Sequence, residues 1–339
     1  MHFPRCGWLL IAAFLPVAWA SAQPARPPPV LPAGATVERD LAYVTAGHER
    51  QRLDLYLPPG TGTPRPLIIW VHGGGWSGGD KRDCPALRQG YLDRGYAIAS
   101  LNYRLSQDAV FPAQLEDAKA ALRWLRANAA KYNLNPERFG VWGSSAGGHL
   151  VALLGTTGGV AEFDVGADAK VSSRVQCVMD DYGPTLFTEM DPHRVNDAAM
   201  VHNTPNSPES RLIGGWIGDP ANAAKIARVN PITYVSPDDP PFLIVHGDID
   251  PLVAHHQSEL LYDALRRAGV RVRLNTVKGG GHGAGFGGAE LEQMRRDFFD
   301  RWLQDADNDA ARWPAAMRSS TAAVAVPAGA KKAKKAGGR

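Results

Sequence analysis

The stretch Gly143-Ser144-Ser145-Ala146-Gly147 constrains the fold more than any other part of the chain. Residues 138–142 predict a short buried strand before it, and the residues after it predict a helix. Ser145 would then lie on a sharp turn that exposes its hydroxyl to a base and places backbone N–H groups near a developing oxyanion. A register centred on Ser144 fails, because Trp142 would occupy a glycine position. The pattern therefore predicts Ser145 as a nucleophile.

A second glycine-rich motif, His72-Gly73-Gly74-Gly75-Trp76, follows the continuous apolar run at 67–71. Such a run is typical of a parallel strand that is buried on both faces. Three consecutive glycines let the backbone turn tightly and direct several N–H groups to one point. A flexible surface loop is the alternative, but the flanking His72 and Trp76 are unusual for a spacer. The motif therefore favours an oxyanion hole.

Two later loops supply an acid and a base in the order that a serine hydrolase requires. Residues 247–253 contain Asp250 and follow a predicted strand, and residues 279–283 contain His282 and follow the last predicted strand. Asp248 is the alternative acid, although it could equally cap the turn. Asp250 is preferred because the acid must extend past the strand end to orient the base.

Of the ten histidines, His282 alone lies in a glycine-rich loop after the last predicted strand. The other candidates are interpreted as structural groups or as support for the site: His72, His149 and His246. His255 and His256 lie on a predicted helix, and nothing nearby has the spacing of a metal-ligand cluster. We therefore expect no metal and no cofactor.

Strand and helix signals alternate along the chain. Residues 112–132 carry apolar residues at helical spacing, and residues 289–303 predict a final helix. The irregular segment 182–208 predicts a small lid or pocket wall over the carboxyl ends of the strands. The alternation predicts an α/β fold with a mostly parallel, doubly wound sheet of about eight strands.

The two ends of the chain differ in composition from its interior. Residues 1–22 contain Arg5, then an apolar run and then small residues. This is the order of features in a secretory signal peptide. We therefore expect a secreted or periplasmic protein. Residues 23–36 read as a proline-rich linker, residues 37–304 as the catalytic domain and residues 319–339 as a disordered basic tail.

The charge distribution limits the classes of partner. The formal net charge is +3, but the last 22 residues hold six basic residues and no acidic one, so the remainder is net negative. We therefore expect no nucleic-acid partner. The N-terminal apolar run is shorter than the ~20 residues that a membrane span needs, so we expect no stable span.

Two cysteines, Cys84 and Cys177, remain after the predicted signal peptide. They could pair in an oxidising compartment. However, Cys177 lies within an apolar run that predicts a central strand, which favours two separate buried thiols.

Taken together, the motifs resemble those of the α/β-hydrolase superfamily. Within it, the chain is similar to the esterase/lipase group of bifunctional feruloyl and acetyl xylan esterases and hormone-sensitive-lipase-like carboxylesterases. The resemblance spans about residues 37–303 and rests on five motifs: 72–76, 102–104, 143–149, 231–234 and 246–253. It implies Ser145 as nucleophile, Asp250 as acid and His282 as base, with oxyanion donors at Gly74, Gly75 and Ala146.

The resemblance also implies a function. The expected activity is a secreted carboxylesterase-type serine hydrolase that cleaves short-chain or aryl esters, either on small molecules or on polysaccharides. No large helical cap precedes the first strand, so we expect an open site. The alternatives are an aryl formamidase or amidase with the same triad and a non-catalytic binding module. The signal peptide argues against the formamidase, and the complete triad argues against the binding module.

Four aromatic side chains are candidates for a substrate pocket that would take an aryl group: Trp76, Tyr182, Phe187 and Trp216. Simple packing within the loops is the alternative for each of them.

Overall fold

The computed structural model describes residues 29–60, 62–305 and 313–324. Its framework is one sheet of nine strands, where about eight were predicted. The strands are β1 Thr36–Ala42, β2 Arg52–Leu57, β3 Arg65–Val71, β4 Ala97–Leu101, β5 Leu134–Ser144, β6 Cys177–Asp181, β7 Phe242–Gly247, β8 Val272–Lys278 and β9 Ala316–Ala322.

The strand order is β1-β2-β4-β3-β5-β6-β7-β8-β9. Strand β2 is antiparallel to both of its neighbours, β1 and β4, and every later pairing is parallel. The predicted α/β class with a mostly parallel sheet is confirmed. Because parallel strands point the same way, the loops after β3, β5, β7 and β8 all leave the same edge of the sheet.

Six α-helices connect the strands within the described part of the chain. They are α1 Ala113–Ala127, α2 Ala146–Thr156, α3 Pro208–Ile213, α4 Ala223–Val229, α5 His256–Arg267 and α6 Ala289–Leu303. Short 3₁₀ turns occur at Pro85–Arg88, Ala161–Phe163, Phe187–Glu189, Asp191–His193, Pro220–Asn222 and Pro231–Tyr234. The predicted final helix, 289–303, matches α6.

Alternating side chains of the central strands supply two hydrophobic cores. On β3, Leu67, Ile69 and Val71 pack with residues of α1, α2 and α5, whereas Ile68 and Trp70 pack with residues of α6. Successive side chains of a strand point to opposite faces, so a strand covered by helices on both sides must be apolar throughout. This explains the continuous apolar run before the His72 motif.

A long insertion, residues 182–241, joins β6 to β7 and contains the segment predicted as a lid. It includes α3, α4 and four of the 3₁₀ turns. The insertion contains no strand, which agrees with the irregular pattern of its sequence.

The predicted disorder of residues 319–339 is wrong at its start. Residues 316–322 form β9, which pairs in parallel with β8 along seven residues. Asn275 of β8 donates to Thr321 at 3.0 Å and accepts from Ser319 at 2.9 Å, so polar side chains reinforce the backbone pairing. Residues 325–339 and the predicted signal peptide at 1–22 lie outside the described residues.

Cys84 and Cys177 are both free and buried. No helix in the described part of the chain has the length and apolar character needed to cross a bilayer.

Candidate active site

Ser145 occupies the turn between the end of β5 at Ser144 and the start of α2 at Ala146. Its backbone angles are φ 55° and ψ −122°, a region that L-residues rarely adopt. The surrounding contacts hold this conformation, since Ser145 N donates to the carbonyl of Asp181 at 2.9 Å. The turn therefore joins a strand to a helix at Ser145, which is the local structure that the sequence predicts.

The two flanking glycines are required by close backbone contacts. A Cβ on Gly143 would lie 2.3 Å from the carbonyl oxygen of Gly147. A Cβ on Gly147 would lie 2.1 Å from the carbonyl oxygen of Val71. The elbow therefore packs its backbone directly against the end of β3, which brings the His72 motif beside Ser145.

The glycine loop after β3 contacts the elbow. A Cβ on Gly73 would lie 3.2 Å from the Cβ of Ser145. Gly74 and Gly75 have φ of 111° and 58°, so the loop uses conformations that favour glycine. Within the described residues, the N–H groups of Gly74, Gly75 and Ala146 donate to no protein acceptor. These groups have the free donors that an oxyanion hole needs.

His72 supports the glycine loop from behind. Its Nδ1 lies 2.7 Å from the carbonyl oxygen of Gly73, and its Nε2 lies 3.2 Å from the guanidinium of Arg50. The ring also stacks on Tyr103 with 4.4 Å between centroids. Burial lowers the pKa of His72 to about 4, so the imidazole is neutral at neutral pH. His72 is therefore a bracing group, in agreement with the sequence interpretation.

Asp250 and His282 meet at the carboxyl ends of β7 and β8. Oδ2 of Asp250 lies 2.8 Å from Nδ1 of His282, and Oδ1 accepts from the N–H groups of Leu252 and Val253 at 2.8 and 3.0 Å. Burial alone would raise the pKa of Asp250, but hydrogen bonds and charge from His246 and His282 hold it well below its usual value. Asp250 is therefore an ionised carboxylate that can orient the imidazole of His282.

Asp248 has a different environment. Its Oδ1 accepts from the N–H group of Gly279 at 2.7 Å, and its Oδ2 lies 3.3 Å from Nζ of Lys278. These contacts join the loop after β7 to the start of the loop after β8. Asp248 therefore caps the turn, which was its alternative interpretation.

His246 directly contacts Asp250, a contact that its position at the end of a predicted strand does not indicate. Its Nε2 lies 3.3 Å from Oδ2 of Asp250 and 2.9 Å from the carbonyl oxygen of Val253, while Nδ1 lies 2.7 Å from Oγ of Ser258. The only available signal was the four-residue spacing from His246 to Asp250, which is uninformative where a strand ends in a turn.

Tyr182, one of the four predicted pocket residues, packs against His282. Its ring centroid lies 4.6 Å from that of His282, and its N–H donates to Val245 at 2.8 Å. Among the described residues, no hydrogen bond joins Ser145 Oγ to His282. Such bonds are often long before substrate binds and tighten in the reacting complex.

The other three predicted pocket residues differ in how far their side chains are exposed. Trp76 and Phe187 are each 1% exposed, and both rings pack against His149 on α2. In this conformation they are core residues, as the packing alternative held. Trp216 is 43% exposed and its ring lies beside Gly218. A cavity of about 370 Å³ is lined by residues of the insertion, but none of the four lines it.

A second carboxylate lies buried behind the elbow. Asp180 is at the end of β6, where Oδ1 accepts from the N–H group of Gly183 at 2.9 Å. Its Oδ2 is buried without a hydrogen-bond partner in the described part of the chain. Burial, helped by the charge of Asp181, raises the pKa of Asp180 to about 7. A Cβ on Gly148 would lie 2.3 Å from Oδ1, so this carboxyl contacts the elbow helix.

A family model described as BD-FAE matches residues 53–265. Among curated proteins, the chain is 31% identical over 234 residues to "Probable carboxylic ester hydrolase LipM" of Mycobacterium tuberculosis (strain ATCC 25618 / H37Rv). It is 30% identical over 234 residues to "Esterase LipQ" of the same strain. These matches cover 67% and 68% of this chain but 51% and 53% of the relatives. The chain thus spans about half the length of the curated relatives it matches.

Solved structures give a similar result over more of the chain. A "Truncated form of carbohydrate esterase from gut microbiota" is 33% identical with a TM-score of 0.73, covering 83% of this chain and 99% of that one. A "Bifunctional GH43-CE" from Bacteroides eggerthii is 36% identical with a TM-score of 0.72, covering 79% of this chain and 35% of that one. The comparisons agree with the predicted carboxylesterase class.

Proposed function

The chain belongs to the BD-FAE family and has the α/β-hydrolase fold, and on that premise we propose that it is a serine carboxylic-ester hydrolase. Its triad is Ser145, His282 and Asp250. The observation that carries this proposal is the 2.8 Å contact between Nδ1 of His282 and the buried carboxylate of Asp250. It occurs at the same edge of the sheet as the strained elbow of Ser145.

The reaction proceeds through an acyl-enzyme. Nε2 of His282 takes the hydroxyl proton as Ser145 Oγ attacks the ester carbonyl. The oxyanion binds the N–H groups of Gly74, Gly75 and Ala146. His282 then gives its proton to the leaving alcohol as the ester C–O bond breaks. Water repeats the sequence on the acyl-enzyme, which releases the carboxylic acid and restores the serine hydroxyl.

We assign short-chain or aryl esters of the acetyl or feruloyl type as the substrates, carried on small molecules or on polysaccharides. Two similar structures support this, since one is a carbohydrate esterase and the other a bifunctional GH43-CE. Export by a signal peptide at residues 1–22 belongs to the same proposal and rests on the sequence alone. Polysaccharide esters are found outside the cell, which fits an exported enzyme.

The test is a substrate panel given to the mature protein and its Ser145→Ala variant. The panel contains p-nitrophenyl acetate, butyrate and decanoate, methyl ferulate, acetylated xylan and N-formylkynurenine. We expect turnover of the acetyl or feruloyl esters that is lost in the variant. Turnover of N-formylkynurenine alone would support a formamidase instead. No turnover of any compound would support a binding module.

A further inference from the structure

The acid loop, residues 250–253, is attached to the insertion by hydrogen bonds from outside the triad. The carbonyl oxygen of Pro251 accepts from the N–H group of Met200 at 2.9 Å. The carbonyl oxygen of Leu252 lies 2.8 Å from Nε2 of His202. The N–H group of the same peptide unit, that of Val253, donates to Oδ1 of Asp250 at 3.0 Å, so the position of this peptide sets the position of the carboxylate.

The buried carboxylate of Glu209 contacts His202. Nδ1 of His202 lies 2.9 Å from Oε1 of Glu209, and both residues are 3% exposed. Oε2 of Glu209 has no hydrogen-bond partner among the described residues, so His202 is the contact that balances this buried carboxylate. The backbone N–H group of His202 donates to Asp191 at 2.7 Å, which fixes the chain at this point.

Each ring nitrogen of His202 therefore lies near an acceptor: Nε2 forms a hydrogen bond with the carbonyl of Leu252, and Nδ1 forms an ion-pair contact with Glu209 that lacks hydrogen-bond geometry. A neutral imidazole has one N–H group, so the two contacts together favour the doubly protonated ring. Burial alone would lower the pKa of His202, but Glu209 and the carbonyl of Leu252 raise it above its usual value. An imidazolium that donates to Leu252 and attracts the carboxylate of Glu209 links the acid loop to α3, and its hydrogen bond to the carbonyl is charge-assisted.

Glu209 also lies next to the loop that holds the predicted oxyanion donors. It is the second residue of α3, and a Cβ on Gly75 would lie 3.4 Å from Cβ of the preceding residue, Pro208. The start of α3 thus touches the glycine loop on one side and holds the acid loop through His202 on the other.

We propose that the buried His202–Glu209 pair positions the acid loop so that Asp250 is aligned with His282. This inference rests on the proposed function and adds two positioning residues to it. Neither residue touches the reacting atoms. Their effect passes through the carbonyl of Leu252 to the carboxylate of Asp250, and from there to the imidazole of the base.

The test compares Glu209→Met, which keeps the volume but removes the acceptor, with Glu209→Gln, whose amide can still pair with a neutral His202. We expect Glu209→Met to lower kcat about tenfold at unchanged KM, since small misplacements of catalytic groups cost up to about a hundredfold. Glu209→Gln should recover most of that loss. Glu162→Ala is the control, because Glu162 forms an exposed pair with Arg228.

The second readout is the downfield ¹H NMR signal of the proton between His282 Nδ1 and Asp250 Oδ2, assigned by its loss in His282→Gln. It should shift or broaden in Glu209→Met and return in Glu209→Gln. A wild-type signal and wild-type kcat in Glu209→Met would overturn the proposal, as would equal losses in both variants. Because this measurement needs no substrate, it tests the positioning even where the esterase function fails.

Titration with a phosphonate measures the concentration of folded active sites in each preparation. The value of kcat is then calculated per folded site. If Glu209→Met does not fold, the double variant His202→Leu/Glu209→Met takes its place, because removing both polar partners is better tolerated than removing one. The double variant should show the same loss of kcat and the same change in the NMR signal. Wild-type values for both would overturn the proposal.

Discussion

Oδ2 of Asp250 lies 2.8 Å from Nδ1 of His282, although 32 residues separate the two in sequence. The contact exists because β7 and β8 are parallel neighbours, so that the loops after them leave the same edge of the sheet. Asp248, two residues earlier, instead binds the N–H group of Gly279 and caps the turn.

Asp250→Asn should therefore lower kcat by up to about 10⁴-fold, because the amide favours the wrong tautomer of His282. Asp248→Asn is the matched control. It should keep kcat within about threefold, since the amide oxygen of Asn can still accept from the N–H group of Gly279 and the loss is expected to be ~0.5 kcal/mol. Steady-state kinetics on p-nitrophenyl acetate measures both. A larger loss in Asp248→Asn than in Asp250→Asn would reverse the assignment of the acid.

Gly147→Ala should destabilise the fold, because its Cβ would lie 2.1 Å from the backbone oxygen of Val71. We expect the free energy of unfolding to fall by about 3 kcal/mol, the upper part of the usual range for overpacking. Gly287→Ala is the control, since a Cβ there meets nothing within 4 Å. Urea unfolding followed by circular dichroism compares them, and equal midpoints would contradict the packing described for the elbow.

Asp180 should make the free energy of unfolding depend on pH. Burial raises its folded-state pKa to about 7, whereas an unfolded Asp titrates near ~3.9. Between these values the folded chain binds the extra proton, so this group's contribution to stability falls as pH rises, by about 1.4 kcal/mol per unit. Above the folded-state pKa of Asp180, this contribution to stability is fully lost and no longer changes with pH.

The variant Asp180→Asn cannot ionise and should become progressively more stable than the wild type between pH 5 and pH 7. The difference should be constant above that range. Urea unfolding of both proteins at each pH unit from 5 to 8 measures it. Parallel pH profiles for the two proteins would show that Asp180 does not titrate in this way.

Trp76 and Trp216 should respond differently to truncation. Trp76→Ala removes a ring that is 1% exposed and should cost about 3–5 kcal/mol of unfolding free energy. Trp216→Ala removes a ring that is 43% exposed and should change stability by about 0.5 kcal/mol or less. Thermal unfolding distinguishes them. Similar losses would mean that Trp216 also belongs to the core.

The sheet and the loops of the site could be predicted because the sequence carries local signals for them. The apolar run before His72 belongs to a strand that is buried between its neighbours. The glycines around Ser145 are needed for close backbone contacts within the turn and with the adjacent strand. Strand β9 was missed because its residues, Ala316–Ala322, are mostly small and polar. Its pairing with β8 comes from backbone hydrogen bonds, which leave no hydrophobic period to detect.

The His202–Glu209 pair was missed for a different reason. Both residues belong to an irregular insertion, where no periodicity relates one side chain to another. Their contact with Leu252 joins positions 50 residues apart. Only the three-dimensional arrangement shows that a buried ion pair holds the loop of the predicted acid.

The most direct test of the central claim is to locate the residue that a fluorophosphonate modifies, by peptide mass spectrometry of the mature protein. We expect one adduct, on Ser145, which is absent in Ser145→Ala and retained in Ser144→Ala. An adduct on Ser144 or on another residue, or ester turnover that persists in Ser145→Ala, would contradict the assignment of Ser145 as the nucleophile.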